Sequence, residues 1–163
     1  MAIITLLTDF GTADAYVAEV KGVLLSRAPG VTLVDVTHQV PPGDVRSATY
    51  LLGRVWRRFP AGTIHLVVVD PGVGTARAAI AGRAGGHGFV GPDNGLFGDL
   101  LGPGDPVVAL PVPPDASPVF HGRDLFAPAA AALALGEPLD RLGPPLGRAP
   151  QRLAPPEPLY EGK

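Results

Sequence analysis

The stretch VVVDPGVGTAR, residues 67–77, runs three β-branched residues into Asp70, continues as a glycine-spaced loop and closes on Arg77. Such a stretch can cradle a phosphate, make a turn, or hold a carboxylate and a guanidinium together for catalysis. A P-loop needs G-x-x-x-x-G-K-[ST], and the chain has no such string. Gly72 and Gly74 begin a dinucleotide fingerprint, but Arg77 stands where its third glycine belongs, and Asp70 repels a phosphate. The turn reading is stronger: aspartate starts the bend, proline fixes φ, glycine accepts positive φ. Asp70 and Arg77 are then a surface ion pair of little worth.

Two other strings compete for meaning. TDFGTADAYVAEVKG places Asp9 at a strand end and Asp14 at a helix start. An Asx-turn followed by an N-cap explains Asp14 well and Asp9 less well. A strand-end acid also suits a carboxylate that accepts both hydroxyls of a ribose. VFHGRDLFAPAAA places His121 between an apolar pair and a helix, with Arg123 and Asp124 as a local pair at the helix N-terminus. A lone histidine in such a place is more often structural than catalytic. His65 lies inside a strand pattern and reads as a satisfied core or edge group. No H-x-x-x-H or H-x-H spacing occurs, so no metal is expected.

These residues need elements to hold them. Residues 2–8, 31–36 and 63–69 read as strands, the third continuous and β-branched as in a sheet covered on both faces. Between them, residues 14–28 carry helical spacing through Tyr16, Val20, Val23 and Leu24, with Asp14 as N-cap. A second helix begins near Asp44 and ends at Pro60. Residues 77–82 and 88–90 predict a hairpin, 107–110 another short strand, and 124–135 an alanine-rich helix with Pro128 in its first turn. The pattern predicts an α/β fold with a largely parallel sheet, whose ligand sits beyond the carboxyl ends of the strands. Asp9, Asp35 with His38, and Asp70 fall at those ends. From Glu137 the chain is rich in proline, glycine and leucine and reads as an extended connector. The expected division is a catalytic α/β domain over 1–136 and a connector over 137–163.

The chain has 163 residues, 46% of them hydrophobic, with a formal charge of −2 and no cysteine. The charge gives no reason to expect a nucleic acid or an anionic membrane as partner. The lack of cysteine removes disulfides, thiolate metal sites and cysteine nucleophiles. The start, MAIITLLTDFG, reads as a strand rather than a signal peptide, and no apolar run is long enough to span a bilayer. A cytoplasmic protein is expected. Arginine carries most of the positive charge, and Asn, Gln, Met and Cys are scarce, as in a thermophile or a GC-rich genome.

Taken together, TDFGTADAYVAEVKGVL, VDVTHQVPPGDVRSATYLL, VVVDPGVGTARAAIA, GPDNGLF and FHGRDLFAPAAA occur in this order. In that order they resemble the S-adenosyl-L-methionine hydroxide adenosyltransferase family, hydrolytic relatives of the fluorinase and chlorinase, over residues 3–135. The resemblance implies a three-layer sandwich with a central, mainly parallel sheet, followed in the family by a β-barrel domain that this sequence lacks. It implies trimers with each active site between subunits, a small-molecule nucleoside substrate and no cofactor beyond that substrate. It assigns the catalytic triad to Asp70, Arg77 and His121, the ribose to Asp9 and the substrate's ammonium to Asp14, with Phe120 and Gly122 flanking the reacting centre. Halide-using relatives carry tyrosine at the positions of Asp70 and His121, and the fluorinase a serine at that of Gly122. The expected reaction is therefore attack of water or hydroxide on the 5′ carbon, giving adenosine and L-methionine. Asp70 or His121 is the proton acceptor, and Arg77 a fixed cation that stabilises hydroxide. The alternatives are a halide-dependent 5′-halo-5′-deoxyadenosine synthase and a binding-only nucleoside module.

Overall fold

A computed structural model of the chain describes residues 1–158. The expected connector is thus described as far as residue 158, and its last five residues, YEGK among them, lie outside the described part. Six strands form one sheet: β1 (Ile3–Thr8), β2 (Thr32–Thr37), β3 (Ile64–Val68), β4 (Ala79–Ala84), β5 (His87–Pro92) and β6 (Val107–Ala109). Three helices cover it: α1 (Tyr16–Arg27), α2 (Val45–Val55) and α3 (Ala127–Ala134).

The sheet order is β2-β1-β3-β5-β4-β6. The first four strands in this order are parallel, and β4 runs antiparallel to both β5 and β6. Period-two alternation divides the side chains into two layers. Ile4, Leu6, Ile64, Leu66 and Val68 face a core shared with Val20 and Leu24 of α1 and with Phe126, Ala130 and Leu133. Leu7, Val67, Val69, Ile80 and Phe89 face the opposite core, closed by Ala48 and Leu52 of α2, Trp56 and Phe97. The result is the α/β/α sandwich that the buried run at β3 requires: all five of its residues are buried.

The local signals act as physics demands. Asp44 caps α2, its carboxylate accepting from Ser47 N at 3.0 Å and from Ser47 Oγ at 2.6 Å. Asp14 is not the cap of α1. Ala15 takes that position without a side-chain bond, and Asp14 accepts instead from Tyr16 N at 2.8 Å, an Asx-turn one residue too early to cap. The alanine-rich helix begins earlier than expected, through one π-helical turn over Gly122–Phe126 that Pro128 follows.

His65 lies in the core and is satisfied on both sides. Its Nδ1 meets Thr5 Oγ1 at 2.7 Å and its Nε2 meets His87 Nδ1 at 3.0 Å. Trp56 stands edge-on to His87 and Phe89, with centroids 5.1 and 5.5 Å away. This cluster sits by the β4–β5 turn, at the end of the sheet where β3 begins, since Ile64 pairs with Gly88. Residues beyond α3 run along the β6 edge: Ala109 N donates to Pro144 O at 2.8 Å, and Leu146 N to Val107 O at 2.9 Å.

Candidate active site

Thr8 pairs with Val68, so the parallel strands β1 and β3 finish level, and Asp9 and Asp70 follow one and two residues beyond that pair at the same edge of the sheet. Two backbone approaches fix the loops that follow. Asp9 Oδ2 accepts from Gly43 N at 2.8 Å, and a Cβ at residue 43 would lie 3.6 Å from Pro71 Cβ. Gly74 adopts φ of +75°, and a Cβ there would clash with Pro118 O. Gly74 thus lets loop 70–77 seat on the segment that leads into His121.

Arg77 bridges the two strings. Its Nε donates to both carboxylate oxygens of Asp70 at 3.1 Å, and its Nη2 donates to Asp70 Oδ2 as well. The same Nη2 lies 2.8 Å from His121 Nδ1. The Asp70 and Arg77 side chains are only 5% and 9% exposed, which corrects the expectation of a surface pair. A bidentate, desolvated pair of this kind is geometrically stiff, and either partner left alone is costly. Phe126 lies under the guanidinium, 5.3 Å from Arg77 Cζ to the ring centroid. Arg77 Nη1 is buried and has no hydrogen-bond partner among the described residues.

The arginine also fixes the tautomer of His121. A guanidinium only donates, so Nδ1 must accept, and a neutral ring then carries its proton on Nε2. Burial pushes the His121 pKa below the ordinary histidine value, reinforced by the Arg77 charge and opposed by Asp70 and Asp124. The neutral form is the resident one at neutral pH. His121 therefore offers an N–H, while the lone pairs of Asp70 remain the acceptors of the trio.

Phe120 and Gly122 lie beside an aromatic cluster. Tyr16 lies between Phe10 and Phe120, its ring tilted to both at 50° and 54° with centroids 4.4 and 5.2 Å away, and its hydroxyl accepts from Arg123 N at 3.2 Å. A Cβ at Gly122 would lie 2.7 Å from Tyr16 Oη and 3.0 Å from Phe10 Cζ. Phe120 is partly exposed and Gly122 buried beside His121. Asp14 is exposed and makes no bond to the trio among the described residues. Asp124 holds the approach to His121, accepting from Ser117 N at 2.8 Å while pairing with Arg123 at 2.7 Å.

Behind Asp9, Thr8 Oγ1 lies 2.8 Å from His38 Nδ1, His38 Nε2 lies 2.8 Å from Asp35, and Lys21 lies 2.6 Å from Asp35. This row orients the end of β1, so Asp35 and His38 support the site and do not line up with the trio. Tyr16 and Phe126 went unassigned as site neighbours, because helical spacing alone marks them as core. No group of three or more His, Asp or Glu residues is placed to hold a metal ion among the described residues.

The SAM hydroxide adenosyltransferase N-terminal domain matches residues 4–143. The chain belongs to that family. Within it, a Salinispora arenicola protein named (R)-S-adenosyl-L-methionine hydrolase is 49% identical over 94% of this chain and 63% of its own length. A fluorinase from Actinoplanes is 32% identical over 86% of this chain and 57% of its own. The crystal structure of an uncharacterized conserved protein from Thermotoga maritima superposes with a TM-score of 0.87 at 38% identity, covering 93% of this chain and 61% of that one. The chain thus spans under two thirds of each of these family relatives.

Proposed function

We propose that this chain carries the water-activating part of an enzyme that hydrolyses (R)-S-adenosyl-L-methionine to adenosine and L-methionine. The observation that carries the reading is Arg77 holding Asp70 and His121 on one guanidinium. The name of the 49% identical Salinispora relative supplies the substrate and its sulfonium configuration.

The chemistry fits what these residues offer. Water oxygen bonds to the 5′ carbon, the C–S bond breaks, and its electron pair returns to sulfur as methionine's thioether. A sulfonium leaves without taking a proton, so no acid is needed at the leaving group. The proton to be moved is water's. A water within reach of both partners donates to a carboxylate oxygen of Asp70 and accepts from His121 Nε2–H. Asp70 is favoured as the acceptor, because His121 Nδ1 is occupied by Arg77. The buried, unpartnered Nη1 is the donor left to stabilise developing hydroxide. Attack by an anionic nucleophile on a cation cancels charge, which a dry pocket favours.

Asp9 takes the ribose hydroxyls, Asp14 the ammonium group, and Phe120 and Gly122 flank the reacting carbon. The reading carries no metal or cofactor, and a cytoplasmic homotrimer whose sites lie between subunits and are completed by a second domain of the family's barrel type. Scarcity of Asn, Gln, Met and Cys supports a warm-adapted source. Hydrolysis is preferred to halogenation because Asp70 and His121 stand where the halide-using relatives are expected to carry tyrosine, and because the fluorinase is the more distant relative.

The test is turnover of the (R) substrate, with and without chloride or fluoride, read by product chromatography. Adenosine and methionine are expected in every case, with Asp70→Ala or His121→Ala lowering the rate by roughly 10²–10⁴. A 5′-halo nucleoside would overturn the hydrolytic choice. Adenosine binding without turnover would leave a nucleoside-binding module.

A further inference from the structure

The string GPDNGLF, residues 91–97, has no part in the reaction just described, yet two of its side chains sit at a junction. Asp93 N donates to Ala78 O at 2.9 Å. Asn94 Nδ2 donates to Val69 O at 2.9 Å. Val69 and Ala78 are the residues immediately before and after loop 70–77, so two adjacent residues grip both of its ends. The carbonyl of Val69 can only accept, which fixes the orientation of the Asn94 amide.

The same pair grips a distant segment from its other side. The Asp93 carboxylate is 1% exposed and accepts from Gln151 N at 2.8 Å. Arg148 Nη2 lies 2.7 Å from Asp93 Oδ2, close enough to pair in charge though not aligned as a hydrogen bond. A carboxylate this buried requires partners, and both of these come from residues 148–151. Packing reinforces the seat. Arg152 Nε donates to Gly98 O at 2.9 Å, a Cβ at Gly98 would overlap Gln151 O, and one at Gly95 would lie 2.6 Å from Leu153 Cδ2.

We propose that Asp93 and Asn94 are positioning residues that couple the docking of segment 148–153 to the geometry of the loop holding Asp70 and Arg77. When the segment is seated, Asp93 is charge-paired and the 91–97 turn is fixed, and that turn fixes both ends of the loop. When the segment lifts, Asp93 is left as a buried unpaired carboxylate, the turn relaxes, and the loop loosens with it. The reaction assigned to the loop rests on the proposed function. The coupling rests on the contacts alone.

Hydrogen exchange, read peptide by peptide, tests it in the full chain. Gln151→Pro removes the N–H that Asp93 accepts, touches nothing in 69–78 and alters an exposed residue. Amides of both 148–154 and 70–77 should exchange about fivefold faster, the effect of one lost hydrogen bond, while α1 keeps its rate. Coupling is reciprocal, so Asn94→Asp, which removes the donor to Val69 O, should also loosen 148–154. Loosening confined to the altered side in either variant, no change in either segment, or a uniform rise that includes α1 would each overturn the coupling. Turnover by the unaltered protein is measured alongside. Its absence in a protein that also carries the second domain counts against the proposed function, while the exchange pattern decides the coupling.

Discussion

Gly74 and Pro118 meet so closely that a Cβ at residue 74 would lie 2.6 Å from the Pro118 carbonyl oxygen. That contact joins the loop ending in Arg77 to the arm ending in His121. Gly74→Ala adds a left-handed alanine to a clash with backbone. It should cost about 2–5 kcal/mol, summing the usual penalties for each. Urea denaturation reads the loss, and a midpoint within error of the parent would show that the two segments yield without cost.

Arg77→Met leaves the buried Asp70 without its charge partner. Breaking a buried pair in this way should cost about 3–5 kcal/mol. Arg77→Lys restores the charge but not the planar fork that reaches both oxygens of Asp70 and His121 together. Stability should therefore recover further in the lysine variant than turnover does. Equal recovery of both would mean that the guanidinium acts as charge alone.

Gly122→Ser places a side chain where Tyr16 Oη and Phe10 Cζ already stand. Overpacking of this kind should cost about 1–3 kcal/mol. Tyr16→Phe removes the nearer obstacle, so the double variant should be less damaged than the sum of the singles. A double-mutant cycle by denaturation measures the coupling, and additive costs would place the clash elsewhere.

Acid stability should follow the histidines. Burial holds His65 down to about 4, aided by the His87 charge, and burial also lowers His87 and His121 from the ordinary value. A depressed histidine binds fewer protons folded than unfolded, so its contribution is whole above the unfolded value near 6.5 and is lost as pH falls from there through the folded value. His65 alone should remove roughly 3 kcal/mol between about pH 6.5 and 4. Denaturation midpoints at pH 7.5 and 4.5 check this, and His65→Gln should flatten the dependence. A parent protein as stable at pH 4.5 as at 7.5 would contradict it.

Asp9 meets Gly43 N through Oδ2. In the proposed site its carboxylate also accepts ribose hydroxyls. Asp9→Ala should then weaken adenosine binding roughly tenfold or more, as for a charged hydrogen bond. Calorimetry decides it, and unchanged affinity would remove Asp9 from the ribose.

The strands, the largely parallel sheet and Asp70 at a strand end were legible because continuous apolar and β-branched runs express burial directly. From the residues alone the carboxylate–guanidinium pair was legible as a turn with a surface ion pair, since seven residues of spacing do not reveal whether a pair is buried. Joining His121 to it takes the 44-residue return of the chain through β4, β5 and β6, which no local pattern records. The π-turn at Gly122–Phe126 left no mark either, because one wider turn at a helix start has no residue spacing of its own. Residues 148–153 read as plain connector because their partners are polar atoms of a distant turn rather than a periodic apolar face.

Trp56 is the sole tryptophan, and it lies against His87 and Phe89 at the end of the sheet opposite Asp70. Its fluorescence is therefore a built-in optical gauge of one structural event, the seating of the β4–β5 hairpin on the start of β3. A ligand held at the strand carboxyl ends leaves that ring untouched, whereas unfolding or a proton on His87 changes its surroundings. One unlabelled sample can thus report whether the scaffold is still intact while aliquots drawn from it are assayed for product.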